Sequence, residues 1–213
     1  MARAEAAGRA RRTMGWVDRF VDDARACLCA PDPVQAIEAL VREVVSHPAG
    51  LREAIQARCR SAVIPDFDVF WRSQTLTILH ATLQPRFRNA PHDHGTWAIV
   101  GVHAGMERNV FYRRHGRNAV EDDRVDAIAP AVIVMRPGVI HAIANPLSLA
   151  SCAIHVYGND HFDASRSMWH PETMIEEPYQ MERFRAWTSA CRARGDAAGA
   201  RREAARARSR DRA

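Results

Sequence analysis

Pro91-His92-Asp93-His94-Gly95-Thr96-Trp97 and, later, Arg136-Pro137-Gly138-Val139-Ile140-His141-Ala142-Ile143-Ala144-Asn145 are the two stretches on which the reading of this chain turns. Residues two apart on a strand project from the same face, so His92 and His94 present two imidazoles to one side. A third ligand for a shared ion has to come from elsewhere in the chain. His141, which follows a Pro-Gly turn at the start of another apolar run, is a credible source of it.

Working outward, the chain after Asp66 consists of short runs rich in β-branched and aromatic residues, separated by Gly, Pro, Asn and Asp. The expected strands are 69–72, 75–83, 96–103, 107–114, 131–136 and 150–157. Their short, regular spacing, with no helical pattern between them, predicts a mainly β fold built as an antiparallel sandwich or barrel. Before Asp66 the period is that of a helix. Val17, Phe20, Val21, Ala24 and Leu28 form one apolar stripe. Asp32, Pro33 and Gln35 read as N-cap, first-turn proline and capping-box partner of a second helix that buries Val34, Ile37, Val41, Val44 and Val45. A third helix follows Pro48 with Leu51, Ile55 and Cys59, and a last one follows Pro178 with Met181, Phe184 and Trp187. The expected organisation is a disordered basic start (1–13), helices packed on the barrel (14–67), a metal-binding barrel (68–160), a C-terminal extension with a helix (161–191) and a disordered Arg/Ala-rich tail (192–213).

Composition narrows the chemistry. The 213 residues carry 30 basic side chains against 25 acidic ones, and every basic one is Arg. Without Lys, Schiff-base catalysis and a P-loop are excluded. The net charge of +5 comes from the ends. Residues 1–12 hold four Arg and one Glu, residues 192–213 hold eight Arg and three acids, and the body between them is left with 18 Arg and 21 acids. A basic pI therefore says little about the folded part, and no specific nucleic-acid partner is expected. The five cysteines, Cys27, Cys29, Cys59, Cys152 and Cys191, form no CxxC pair and read as reduced thiols of a cytoplasmic protein. No apolar h-region follows the Arg-rich start, so no secretory leader is expected, and no stretch is long enough to span a bilayer.

The PHDHGTWAIVGVHAG and PGVIHAIANP segments, with Ile154-His155-Val156-Tyr157, resemble the cupin superfamily and, more closely, its cysteine dioxygenase-like family of thiol dioxygenases. The resemblance covers roughly residues 68–160. It implies a cupin double-stranded β-helix, or jelly-roll barrel, with an N-terminal helical layer and a short C-terminal helix. It further implies an Fe(II) held by His92, His94 and His141, with His155 and Tyr157 beside the iron as catalytic residues. Most cupins add a Glu shortly after the second His, whereas here the residues after His94 are Gly-Thr-Trp-Ala-Ile, as in the three-His thiol dioxygenases. Three neutral imidazoles leave about three open positions on an octahedral ion, enough for a thiolate and O2 side by side.

The chain also departs from the family. Ala153 stands where the family often has Ser, and no Cys follows His94 closely enough to cross-link to the Tyr. Cys152 should face away from His155 and Tyr157 by strand parity. The family's cysteine-specific members hold the substrate carboxylate with an Arg on an early strand. Arg72 is the counterpart here, with Arg86 and Arg88 as alternatives. Trp97 and His80 complete the expected substrate contacts, His80 because Leu76, Ile78, His80 and Thr82 alternate along one face. His47, His103, His115, His161 and His170 read as solvated, and Glu121-Asp122-Asp123 as an exposed turn.

The implied activity is oxidation of a small thiol, such as cysteine or 3-mercaptopropionate, to its sulfinic acid with O2 as co-substrate, by a monomer or homodimer with no membrane partner. Two alternatives share the three-His site. One holds zinc, nickel or manganese and works as a hydrolase, lyase or isomerase. The other is a non-enzymatic ligand-binding barrel whose Arg tail touches nucleic acid.

Overall fold

The structure, a computed structural model, describes residues 15–58 and 67–193. Three helices come first: α1 (Trp16–Cys27), α2 (Pro33–Ser46) and α3 (Ala49–Arg58). Helix α1 buries Val17, Phe20, Val21 and Ala24, four positions of the expected stripe. Helix α2 starts where its sequence says it should, with Pro33 in the first turn and the Asp32 carboxylate accepting the Gln35 backbone N–H at 3.0 Å. It buries Ile37, Val41 and Val45. Cys59, the basic start and most of the tail lie outside the described residues.

Two antiparallel sheets follow. The larger contains β1 (Phe67–Arg72), β2 (Thr77–Leu83), β3 (Ala98–Ala104), β6 (Ala131–Met135) and β8 (Ser151–Tyr157), in the order β1-β2-β8-β3-β6. The smaller contains β4 (Met106–His115), β5 (Asn118–Ile128) and β7 (Ile140–Ala144), in the order β5-β4-β7. Alternation divides the larger sheet between two cores. One face places Ile78, Ile99, Ile154 and Val156 under α1, α2 and α3. The other places Leu79, Ala98, Val100, Val102, Met135, Ala153 and Tyr157 inside the barrel, where Ala127 of the smaller sheet joins them. Gly101 permits the helix-side contact, because a Cβ there would run into Val41 and stand 2.8 Å from the Val45 methyl. The fold is mainly β, a jelly-roll barrel with helices at both ends.

The acidic run is not a turn. Glu121, Asp122 and Asp123 lie within the 11-residue strand β5, at the edge of the smaller sheet. Only Ala119 and Ala127 of that strand are buried, so apolar alternation is missing from its sequence. Ion pairs hold it instead: Arg108 with Asp126 at 2.6 Å across to β4, Arg113 with Asp122 at 3.2 Å, and Arg124 with Glu121 at 2.7 Å. Charged side chains on an exposed edge also discourage pairing with other chains.

Past the barrel, β9 (Ser167–Trp169) and β10 (Glu176–Pro178) pair with each other, and a helix over residues 181–193, α4, follows the expected Pro178 boundary. Met168 and Trp169 are fully buried, so this segment is packed onto the barrel. No described helix is long and apolar enough to cross a membrane.

Candidate metal centre

His92 and His141 meet as direct cross-strand neighbours. Each backbone N–H donates to the other's carbonyl at 2.9 Å. His94 arrives from two residues further along the same extended segment, which Gly95 turns into β3. Gly95 sits at φ +65°, and a Cβ there would stand 2.9 Å from the Ser165 carbonyl oxygen. The Asn159 side chain donates to the His94 carbonyl at 3.1 Å and fixes the segment from the other side.

The three rings converge with centroids 4.8 to 5.0 Å apart, all of them buried. One nitrogen from each lies within 4.8 Å of the others. Two of the rings have their tautomers set from outside. The His92 Nδ1–H donates to the Ala90 carbonyl at 3.1 Å, and the His141 Nδ1–H donates to Asn109 Oδ1 at 2.8 Å. Both keep a lone pair on Nε2. Burial, followed by the neighbouring imidazoles and Arg166, pushes His92 and His94 far below the ordinary histidine range. Burial brings His141 down to about 4. Neutral donors converging on one point can hold a metal ion. His94 Nε2 and His141 Nε2 approach to 2.9 Å, a separation that suits nitrogens sharing a cation. Asp93 stays out of this set, since its carboxylate accepts the Ser167 backbone N–H at 2.9 Å.

A buried polar chain runs from His141 to Tyr157. Asn109 Nδ2 donates to Glu107 Oε1 at 3.1 Å, which settles the orientation of the amide that receives His141. Glu107 Oε2 lies 3.6 Å from His155 Nε2, and His155 Nδ1 is 3.0 Å from the Tyr157 hydroxyl. Burial alone would raise the fully buried Glu107 carboxyl, but its contacts with His155 and Asn109 outweigh this and hold it below its ordinary value. A carboxylate facing Nε2 favours the proton there, so Nδ1 accepts from the phenol. Burial pushes the Tyr157 phenol well up, keeping it protonated. Its ring lies 4.9 Å from that of His94.

The wall opposite Tyr157 comes from the segment after the barrel. His161 stacks on Tyr157 at 3.9 Å, and its ring is pushed far below the ordinary histidine range by burial and then by Arg166. Arg166 is buried, donates to the carbonyls of Asp93 and His161 at 3.2 Å, and lies 3.4 Å above the Tyr179 ring. Its Nε has no hydrogen-bond partner, and no carboxylate among the described residues forms an ion pair with it. Phe184 of α4 packs edge-on to His92 at 4.9 Å.

Several expected residues sit elsewhere. Arg72 is at the surface, where its Nε meets Asp160 and its Nη2 meets Asp163, each at 2.8 Å, so its charge is already matched. Trp97 packs against the helix-side core and over Gly158. His80 does share a face with Leu76, Ile78 and Thr82, but that face looks toward the helices, and His80 stacks on Phe70. His103, expected in solvent, is buried beside it with Nε2 3.0 Å from His80 Nε2. Burial brings His80 down to about 3 and His103 to about 4. His161 is likewise no solvated loop residue. His47 and His115 are exposed, and His170 is half-buried with its ring edge-on to Trp187. Asn145 of the second motif is a loop clamp, donating to the Leu83 and Leu149 carbonyls at 2.9 and 2.8 Å. Glu107, Asn109 and Arg166 escaped the sequence reading because no local pattern marks them. The signal available was a Glu and an Asn two apart, Glu107 and Asn109, sharing one face of the buried half of β4.

No family model matches the chain, and no curated protein matches it. Among solved structures it is similar to a cupin superfamily protein from Desulfitobacterium hafniense, with 14% identity, TM-score 0.39, and 50% of this chain covering 89% of that one. It is also similar to a conserved Klebsiella pneumoniae protein with a double-stranded β-helix domain, at 13% identity and TM-score 0.39, with 53% and 91% covered. A third likeness is to a Cupin 2 conserved barrel domain protein from Salinispora arenicola, at 16% identity and TM-score 0.36, with 44% and 74% covered.

Proposed function

We propose that this chain is a cysteine dioxygenase-like, non-haem Fe(II) enzyme that oxidises a small thiol to its sulfinic acid with O2. The observation that carries the reading is the ligand set: three buried neutral imidazoles with no carboxylate among them, beside a protonated Tyr157 backed by His155. His92, His94 and His141 would hold the iron, which supplies the redox chemistry that lets a thiolate and O2 react. The reaction balances without a further reductant, since RSH and O2 give RSO2H. Sulfur is oxidised by four electrons, and both oxygen atoms end on it.

The chain's own groups have separable tasks. Asn109 fixes the His141 ring so that Nε2 faces the centre. Tyr157 places its hydroxyl beside His94, and His155, aligned by Glu107, accepts the hydroxyl proton in a hydrogen bond and holds the phenol in place. Arg166, rather than Arg72, has a buried guanidinium without a carboxylate partner among the described residues, in the segment that packs over Tyr157. It suits the anionic end of a thiol such as cysteine or 3-mercaptopropionate. Phe184 packs edge-on to the His92 ring, and the buried Met168 pairs with His92 through the backbone, so the C-terminal segment covers this ligand. The reaction needs only the thiol and O2 as partners, in a monomer or homodimer working in the cytoplasm.

An oxygen-electrode screen of small thiols on the iron-loaded protein, with His94→Ala as control, tests the reading. Thiol-dependent O2 uptake that disappears in the variant is expected. An iron-replete protein that takes up no O2 with any thiol, but is active in hydrolysis with zinc, would overturn it.

A further inference from the structure

A second cluster of ligand-type side chains lies on the other face of the larger sheet, under the helices. His80 on β2, His103 on β3 and Cys152 on β8 each bring one ligand atom within 4.8 Å of the other two. We propose that these three residues form a second metal site, separate from the three-histidine centre, for a borderline-soft d10 cation of the Zn2+ type.

The strand order makes the cluster. β8 lies between β2 and β3, so the three side chains come from three adjacent strands. Cys152 stands directly across from Thr82, two residues beyond His80 on the same face. On the other side the β3–β8 ladder shifts register between Val102 and Ala104, which leaves His103 as the extra residue of a bulge. Bulges re-aim side chains, and this one falls at a ligand. Phe70 stacks nearly parallel to His80 at an interplanar angle of 13°, fixing its ring.

The polar atoms are poorly served without a cation. The approach of His80 Nε2 to His103 Nε2, 3.0 Å, repeats the 2.9 Å approach of His94 to His141 in the first centre. The buried His103 Nδ1 has no hydrogen-bond partner, in a layer otherwise filled by Val41, Val45, Leu51, Ile78 and Ile154. Two imidazoles and a thiol form a soft donor set that favours zinc-like ions over the hard ones oxygen ligands select. Binding exchanges the S–H bond of Cys152 for a sulfur–metal bond and releases the proton to solvent. Arg52, which donates to the His103 carbonyl at 3.5 Å, is a positive neighbour for the thiolate so formed. Cys152 is only half-buried, which provides an entry path. A cation here would tie β2, β8 and β3 together behind His155 and Tyr157, whose side chains point into the barrel from the same strand.

Cobalt distinguishes the two sites, because only this one contains sulfur. Titrating the metal-stripped full chain with Co2+ should show two bound equivalents, one of them with thiolate-to-cobalt charge-transfer absorption in the near ultraviolet. Cys152→Ser should lose that band and one equivalent. His103→Gln should lose the band with every thiol still present. His94→Ala should lose the other equivalent and keep the band. A wild-type protein with no such band, or a band that survives Cys152→Ser, would overturn the proposal whatever the first centre does.

Discussion

The Nε2 atoms of His94 and His141 stand 2.9 Å apart in a buried pocket, while the Nδ1–H of His141 is committed to Asn109. The pair is therefore preorganised for a cation, and metal binding should stabilise the folded chain. With ferrous iron at about a hundredfold over its dissociation constant, linkage gives about 2.7 kcal/mol. For a chain of this size that is a rise in Tm of about 5 to 10 °C. Anaerobic melting curves with and without iron should show the shift in the wild type and its loss in His94→Ala.

Asn109 touches no substrate in this account, yet it sets the tautomer of a ligand. Asn109→Ala should weaken iron binding by about 10- to 100-fold while the barrel still folds. A competitive metal titration reads this directly. Unchanged affinity would mean that His141 needs no outside orientation.

Arg166 and Arg72 make opposite predictions. Removing a charge-assisted contact to a substrate carboxylate costs about 1.5 to 3 kcal/mol, or about 10- to 150-fold in kcat/KM. Arg166→Gln should show this loss with carboxylate-bearing thiols and little loss with neutral ones. Arg72→Gln, whose side chain is held at the surface by Asp160 and Asp163, should leave both classes unchanged. Kinetics on a matched pair of thiols separates the two residues.

The metal-free chain should be acid-sensitive. Burial brings His80 down to about 3 and His103 and His141 to about 4, against about 6.5 when unfolded. The unfolded chain binds more protons across this window, so stability is fully present above about pH 6.5 and falls as the pH drops toward about 4. Each such group can cost up to about 1.4 kcal/mol per pH unit there. Urea midpoints of metal-free protein at about pH 7 and about pH 5 should differ strongly. A flat profile would mean that these imidazoles are charged in the fold.

What the sequence made legible follows from the range of each signal. His92 and His94 are two apart and His155 and Tyr157 are two apart, so parity put each pair on one face, while joining both pairs to His141 in one centre rested on the resemblance to the cupin motifs. Helix α2 was readable from Asp32, Pro33 and Gln35 at its start and from the apolar face that follows them. Strand β5 was not, because its edge position lets it be charged at alternate and successive residues, even though it pairs with β4 directly across the tight turn at Gly116-Arg117. His80 had the right alternation, but parity cannot say which face of a sheet meets helices and which meets the barrel. Arg166 and His161 lie in a segment with no period at all. Only tertiary packing brings them over Tyr179 and Tyr157.

As a thiol dioxygenase, the three-histidine centre should put both atoms of O2 into a thiol. Turnover of an active thiol by the iron-loaded protein under 18O2, followed by mass spectrometry of the product, tests it most directly. The product should be a sulfinic acid with both oxygens labelled, with one O2 consumed per thiol and no product from His94→Ala. Disulfide with hydrogen peroxide, or a product whose oxygen comes from water, would contradict it.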